Sequence, residues 1–361
     1  MGDREVNTVL LDSVQSQANR MELALLAAYE RREIALPLVV SDFSPWFPKV
    51  GRITALEAPH RVYDAIFRDA TIDGVRFRET QKGRQLYEAS LQNATPLLRL
   101  CPTALVFGAW DSTSLRPGYT GAKFERCLTS EIVGFNAVPG KKTGSRIDPL
   151  SIVLVATIYK TADGWWTADE NKAERDAQGK PILYSKKNGD KPGRPSLINH
   201  GNITPTIADG GYTIARAEQV TVLSLIALRR LRFPSGEGAN GTEGRWNPST
   251  ATDFAAQILL ASLALCAIAY QRQEGYDLRS RCVLIPSAPA HFEILGTDLG
   301  QVQKVTLDAA GARGLFNQAV QALPRELGWD PKKFPLEPSD DVLRLIEKSR
   351  ELDEELDGEG A

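Results

Sequence analysis

The chain has 361 residues, of which 42% are apolar and 24% charged, with a formal net charge of −2. Those proportions exclude a disordered or fibrous chain and leave room for one elaborated domain or two ordinary ones. The most apolar run, residues 258–270, is shorter than a bilayer span. The opening MGDREVNTVLLDSVQSQANR is polar and acidic where a secretory leader would be basic and then apolar, so a cytoplasmic protein is expected. Cys101, Cys127, Cys266 and Cys282 are widely scattered, with no Cys-x-x-Cys pair, so neither disulfides nor structural zinc is expected.

In chain order, Val14, Met21, Leu25, Ala28 and Tyr29 recur at helical spacing, which predicts an amphipathic helix over 13–33 with Asp12 or Ser13 as cap. Residues 37–43 read as a strand and 53–56 as another. A helix is expected to open at Pro59. Asp73-Gly74 between short β-type runs predicts a hairpin over 71–77. Residues 81–93 read as helix. The apolar run 103–110 reads as a strand, followed by a glycine loop and a helix over about 121–131. Residues 132–138 form the next expected strand, 139–146 a loop, and 151–159 a long buried strand. This alternation predicts an α+β domain whose central sheet holds those three strands. Periodicity is lost over 160–206, which marks a functional or mobile insertion. Helix is expected over 212–230, a flexible glycine loop over 234–248, a long helix over 250–272, a strand at 282–286 and a helix over 307–323. The expected organisation is one domain over 1–335 and an acidic, helical tail over 336–361.

The net charge conceals a division. Residues 336–361 hold ten acids against three bases, a charge of −7, which leaves +5 on residues 1–335. Residues 172–200 carry seven Lys and Arg against three acids. A basic loop is the electrostatic footprint of a polyanion, although any solvated loop has the same look.

The stretch VFGAWDSTSLRPGYTGAKFER was tested first as an enzyme site. It lacks the Gly-x-Ser-x-Gly order of a nucleophile elbow. The chain holds only His60, His200 and His291 as candidate bases, each in unrelated context. No phosphate-loop or dinucleotide fingerprint follows a strand. Asp111 and Asp148 are isolated carboxylates, more simply read as a turn cap and an Arg146 partner than as Mg²⁺ ligands. No metal or cofactor is expected. What remains is two sets of cations among glycines: Arg116, Gly118, Gly121, Lys123 and Arg126 in one, and Gly140, Lys141, Lys142, Gly144 and Arg146 in the other. Lys and Arg neutralise phosphates without reading bases, so such loops hold nucleic acid whatever its sequence.

The runs FGAWDSTSLRPGYTGAKFERCLTSEIVG, GSRIDPLSI, INHGNITP and AEQVTVLSLIALRRLRFP resemble the backbone subunit of type I-G (formerly I-U) CRISPR Cascade complexes, of the RAMP superfamily and the "Cas-seven" group. The resemblance extends from about residue 52 to 234. It departs at Leu115-Arg116-Pro117, where more glycine is expected. It implies an RRM-like, ferredoxin-like palm with large insertions, and 160–206 would contain a thumb or finger. Such subunits bind CRISPR RNA without catalysis, oligomerise along it as a helical filament beside other Cascade subunits, and present it for pairing with target DNA. The site residues expected on this reading are Lys123, Arg126, Lys141, Lys142 and Arg146, with Arg116, Lys186, Lys187 and Arg194 after them. A metal-dependent ribonuclease of the same superfamily acting through Asp111, and an assembly protein whose basic loops meet acidic proteins, are the alternatives. No membrane partner is expected.

Overall fold

A computed structural model of the chain describes residues 6–112, 121–186, 191–234, 250–296 and 302–359. The main elements are β1 (Thr8–Asp12), α1 (Val14–Glu30), β2 (Leu38–Asp42), β3 (Arg52–Thr54), β4 (Leu128–Phe135), β5 (Val138–Arg146), β6 (Ile203–Thr213), β7 (Arg216–Leu223), α2 (Ala251–Glu274), β8 (Tyr276–Arg279), α3 (Ala309–Ala322), β9 (Lys333–Leu336) and α4 (Asp340–Glu359). The chain divides into two compact units. One comprises Thr8–Phe135 and Arg216–Leu343, the other Met1–Asn7, Asn136–Ala215 and Arg344–Ala361. The sequence-based division at 335 differs from this, because the second unit leaves the first at the β4–β5 turn and returns at β7.

The larger unit is built on a three-stranded antiparallel sheet in the order β1–β4–β7. Ser13 caps α1 by accepting the N–H of Ser16, and Met21, Leu25 and Ala28 line its buried side. Thr250 and Asp253 form a reciprocal capping box that starts α2. One face of the sheet lies on these helices, and polar side chains stitch it there. Ser130 donates to Gln17 (3.0 Å), while the Gln219 amide donates to Gln17 (2.8 Å) and Gln271 (3.2 Å). Tyr276 of β8 donates in turn to Gln219 (2.8 Å). A buried network of this kind specifies one register, since a slip would strand several polar groups at once. A second sheet, in the order β9–β2–β3, pairs β9 parallel to β2. The Asp-Gly hairpin forms as expected between Thr71–Ile72 and Val75–Arg76, with Asp73 and Gly74 both left-handed (φ 50° and 76°).

Helix α2 is 24 residues long, so the apolar run 258–270 sits in a helix that by length and composition could cross a bilayer. In this fold it is mostly buried against protein, including α1 and α3.

The smaller unit is dominated by an antiparallel ribbon of β5 and β6, in which Lys142 faces Ala208 and Arg146 faces Ile203. Between its strands runs an insertion whose regular structure is confined to short pieces such as the ladder of Tyr159–Lys160 with Trp166–Thr167. Asp148 closes its base. Its carboxylate accepts the N–H groups of Gly201 (2.6 Å) and Leu150 (3.1 Å), while its own N–H goes to Asn202 (2.8 Å). The Gly201 bond is the main cause that holds this carboxyl below the usual range. The expected partner Arg146 acts on Asp148 only as a smaller electrostatic cause, beside His200 at 3.8 Å, and makes no direct ion pair with it among the described residues.

Several expected elements differ. Thr103–Phe107 is a buried helical turn rather than a strand, as a short apolar run fits either when both faces are covered. The expected helix at 121–131 is instead the short ladder Lys123–Phe124 and the first half of β4, where Leu128, Ser130 and Ile132 alternate inward. Residues 138–146 form β5 rather than a loop. With most of its side chains in solvent, β5 carries no core-facing alternation to read. Residues 151–159 are not a buried strand, since Val153 and Val155 are exposed and only Ile158 is buried. The expected helix over 212–230 is mostly β7, followed by the short helix Leu225–Arg229.

Candidate nucleic-acid interface

The ribbon sorts its cations by strand alternation. Successive side chains of a strand point to opposite faces. Lys142, Gly144 and Arg146 therefore share one face of β5, and Lys141 lies on the other. Lys141 is paired there with Asp209 at 2.6 Å, so its charge is cancelled locally. Lys142 and Arg146 make no ion pair among the described residues. They stand about 13 Å apart along the strand, with only Gly144 between them on that face. The register of the ribbon shifts at two points on β6, at 203–206 and 209–212. Gly210 permits the second, because a Cβ there would come within 2.7 Å of the Lys141 carbonyl carbon.

A second cationic locus lies in the larger unit. Ala109–Trp110 pairs with Lys123–Phe124, setting the Lys123 ammonium 5.7 Å from the centre of the Trp110 ring. The ring is 58% exposed. An exposed aromatic beside a cation offers a base-stacking surface and a phosphate partner together. Trp110 stands inside the sequence motif, yet only its neighbour Lys123 was singled out.

Arg126 is exposed but anchored. Its Cγ lies 3.0 Å from where a Cβ would stand on Gly108, whose φ is +79°. Burial and the neighbouring Arg61 charge pull its guanidinium below the ordinary value. Arg61 itself is buried in a left-handed conformation (φ 54°) and grips both oxygens of Glu22 at 2.7 Å, while donating to the Gly108 carbonyl at 2.9 Å. Burial pushes the Glu22 carboxyl up to about 7, against the opposing pull of Arg61. With Glu22 ionised, it cancels Arg61, and the outward charge at this turn is that of Arg126. The two partners lie 39 positions apart, and no local motif signals the pairing.

Of the remaining expected cations, Lys186 and Arg194 are exposed within the insertion and make no ion pair among the described residues. Arg116 and Lys187 lie outside the described residues. The seven described positions thus fall into separate loci, and each is placed only within its own unit.

Asp111 does not have the setting of a metal ligand. It is 3% exposed, its carboxylate accepts from Arg78 at 2.8 Å, and its N–H donates to the Ala122 carbonyl at 2.9 Å. Gly121 packs so closely on it that a Cβ would lie 2.2 Å from the Asp111 carbonyl oxygen. The residue is held between Arg78 and the Gly121–Ala122 backbone. No cluster of three or more His, Cys, Asp or Glu able to hold a metal occurs among the described residues.

Comparison with known proteins supports a CRISPR-associated protein. A family described as CRISPR-associated protein GSU0053 matches residues 1–139, from the N-terminus through β4 to the start of β5. That is under two fifths of the chain, and most of the ribbon lies beyond it. No curated protein matches.

Proposed function

We propose that the chain is a non-catalytic subunit that binds CRISPR RNA, repeats along it within a type I interference (Cascade) complex of the I-G kind, and presents the guide for pairing with target DNA. The family match brings a role in CRISPR systems, and the observation that carries the rest is the Lys142–Arg146 face of the exposed ribbon. Cations on an extended strand that make no ion pair among the described residues can neutralise phosphates in series and leave base edges available for pairing. The reading takes the sheet with α1 and α2 as an RRM-like palm of the RAMP type. The elements β1, α1, β4, β7 and α2 support it, since they follow the strand-helix sequence of ferredoxin-like folds once the elements inserted between them are set aside, while β8 pairs outside this sheet with Cys282–Leu284. The sheet departs from the split form of that pattern, because β1 and β4 are antiparallel and directly bonded. The β5–β6 ribbon with its insertion is then the thumb, and its place of work is the cytoplasm.

The test is purification of the chain with and without a co-expressed CRISPR RNA, reading size and the ratio of absorbance at nucleic-acid and protein wavelengths. The reading predicts a large, nucleic-acid-rich species only with the guide. A small particle without nucleic acid in both cases would contradict it.

A further inference from the structure

A third group of cations surrounds the C-terminal end of α1. There the larger unit has an open cavity of about 470 Å³, whose lining includes Tyr29, Glu30, Arg32, Ile34, Arg52 and Lys333. The β9–β2–β3 sheet supplies two of these, since Arg52 opens β3 and Lys333 opens β9, and the helix end supplies Arg32. A space of this size suits a small-molecule ligand.

Arg32 stands where glycine is favoured. Helix α1 ends in a Schellman turn, in which the Arg32 N–H donates to the Tyr29 carbonyl (3.0 Å) and the Glu33 N–H to that of Ala28 (2.9 Å). The turn holds Arg32 left-handed at φ 61°, a conformation that is costly for any residue with a Cβ and free for glycine. An arginine kept in such a place points to a use for its side chain. Capping is not that use. The Ala27 carbonyl is met by the Arg31 N–H (3.0 Å), and Arg31 also supplies the cation that suits the negative end of a helix, pairing with Glu33 at 2.8 Å and Glu274 at 3.1 Å. Arg32 and Lys333 make no ion pair among the described residues. A lysine on the edge strand β9 also guards a free edge, but Arg32 has no such duty. Two acids stand near. Glu30 engages Arg52, and Asp42, whose carboxyl is held below its ordinary value chiefly by Ser44, feels Arg52 and Lys333 as smaller causes. Three cations against these two leave positive charge in excess.

We propose that this cavity binds a nucleoside monophosphate, with the phosphate held by Arg32, Lys333 and Arg52 and the base against Tyr29. Guanidinium and ammonium groups together match the charge and the acceptor oxygens of a phosphate. Tyr29, half-buried on the core, and Ile34 give the ring and aliphatic wall that an uncharged planar body needs. The site belongs to the larger unit and the ribbon to the smaller, so the inference stands apart from the proposed function and needs no guide RNA.

The test is calorimetric titration of the full-length chain with adenosine 5′-monophosphate, adenosine and inorganic phosphate. The nucleotide should bind at least ~10-fold more tightly than either of its parts, and Arg32→Gly and Lys333→Ala should each weaken it by at least ~10-fold. Arg32→Gly should keep the wild-type melting temperature, because relief of the left-handed strain offsets the greater freedom of glycine in the unfolded chain. Its binding of a single-stranded RNA with hydroxyl ends should also be unchanged. A phosphorylated RNA end carries the same group as the free nucleotide. A 5′-phosphorylated oligonucleotide that displaces the nucleotide, where its hydroxyl-ended twin does not, would assign the ligand to an RNA end, and failure of both to displace it would assign a free nucleotide. No binding at millimolar nucleotide, binding no tighter than that of inorganic phosphate, or affinity undiminished in both variants would overturn the site. A lowered melting temperature in Arg32→Gly would show that Arg32 serves the fold instead.

Discussion

The β1–β4–β7 sheet and the ribbon are both antiparallel β-structure, but they are stabilised by opposite means. Strand β4 has a buried row, Leu128, Ser130 and Ile132, on α1 and the polar network beneath it. Strand β5 has no fully buried side chain. In the first, tertiary packing dictates which residue may stand where. In the second, the ladder hydrogen bonds and the bulges of β6 hold the shape, and side chains are left for partners. A two-stranded ribbon is marginal by itself in water, so one retained at this length suits a surface used for binding.

The comparison can be broken most sharply in the larger unit. Replacing Leu25, which is fully buried, by alanine should cost about 2–5 kcal/mol in urea unfolding. Arg61→Ala belongs in the same range, about 3 kcal/mol, because it leaves Glu22 buried without its partner and releases the Gly108 carbonyl. A loss under about 1 kcal/mol would show that the turn does not depend on this pair. Gln219→Ala should cost about 1–3 kcal/mol, since Gln17, Gln271 and Tyr276 each lose a buried partner.

Glu22 also gives the larger unit a pH signature. Its folded pKa of about 7 stands above the unfolded value, so the native state binds more protons between the two. This group's contribution is full below about pH 4.3, the ordinary glutamate value, and declines as pH rises to about 7. Over that window Glu22→Gln should lose this part of the slope and gain stability relative to wild type as pH rises. Parallel wild-type and variant curves would contradict the assignment. At the other extreme, Ile207→Thr on the ribbon, at a position 76% exposed, should change unfolding free energy by less than about 0.5 kcal/mol. A larger loss would mean that the ribbon has a core of its own.

The same contrast governs what could be read from the sequence. Helix α1 was legible because an apolar stripe and a capping residue coincide at Ser13, and α2 because its apolar run is too long for a strand. The 71–77 hairpin was legible because Asp73-Gly74 suits two left-handed positions in succession. Residues 103–107 were not, since a fully buried segment has no periodicity to distinguish helix from strand. Strand β7 was read as helix because its inward row, Ala217, Gln219, Thr221 and Leu223, mixes polar and apolar residues over a buried polar network. At the candidate site, what the sequence did not show was the grouping of the cations. Lys141, Lys142 and Arg146 form one cluster if 139–146 is a loop, but on a strand Lys141 turns away to Asp209. The Glu22–Arg61 pair that supports Arg126 was invisible because its members meet only in the fold.

The most direct measurement of the account is a salt titration of binding to single-stranded RNA by the wild type and by Lys141→Ala, Lys142→Ala and Arg146→Ala chains. Each phosphate contact contributes about 0.7 to the slope of log K against log salt for a single strand. The account predicts that Lys142→Ala and Arg146→Ala each lower the slope by about that amount, while Lys141→Ala leaves it unchanged. Equal slopes in all four proteins, or a loss confined to Lys141→Ala, would contradict it.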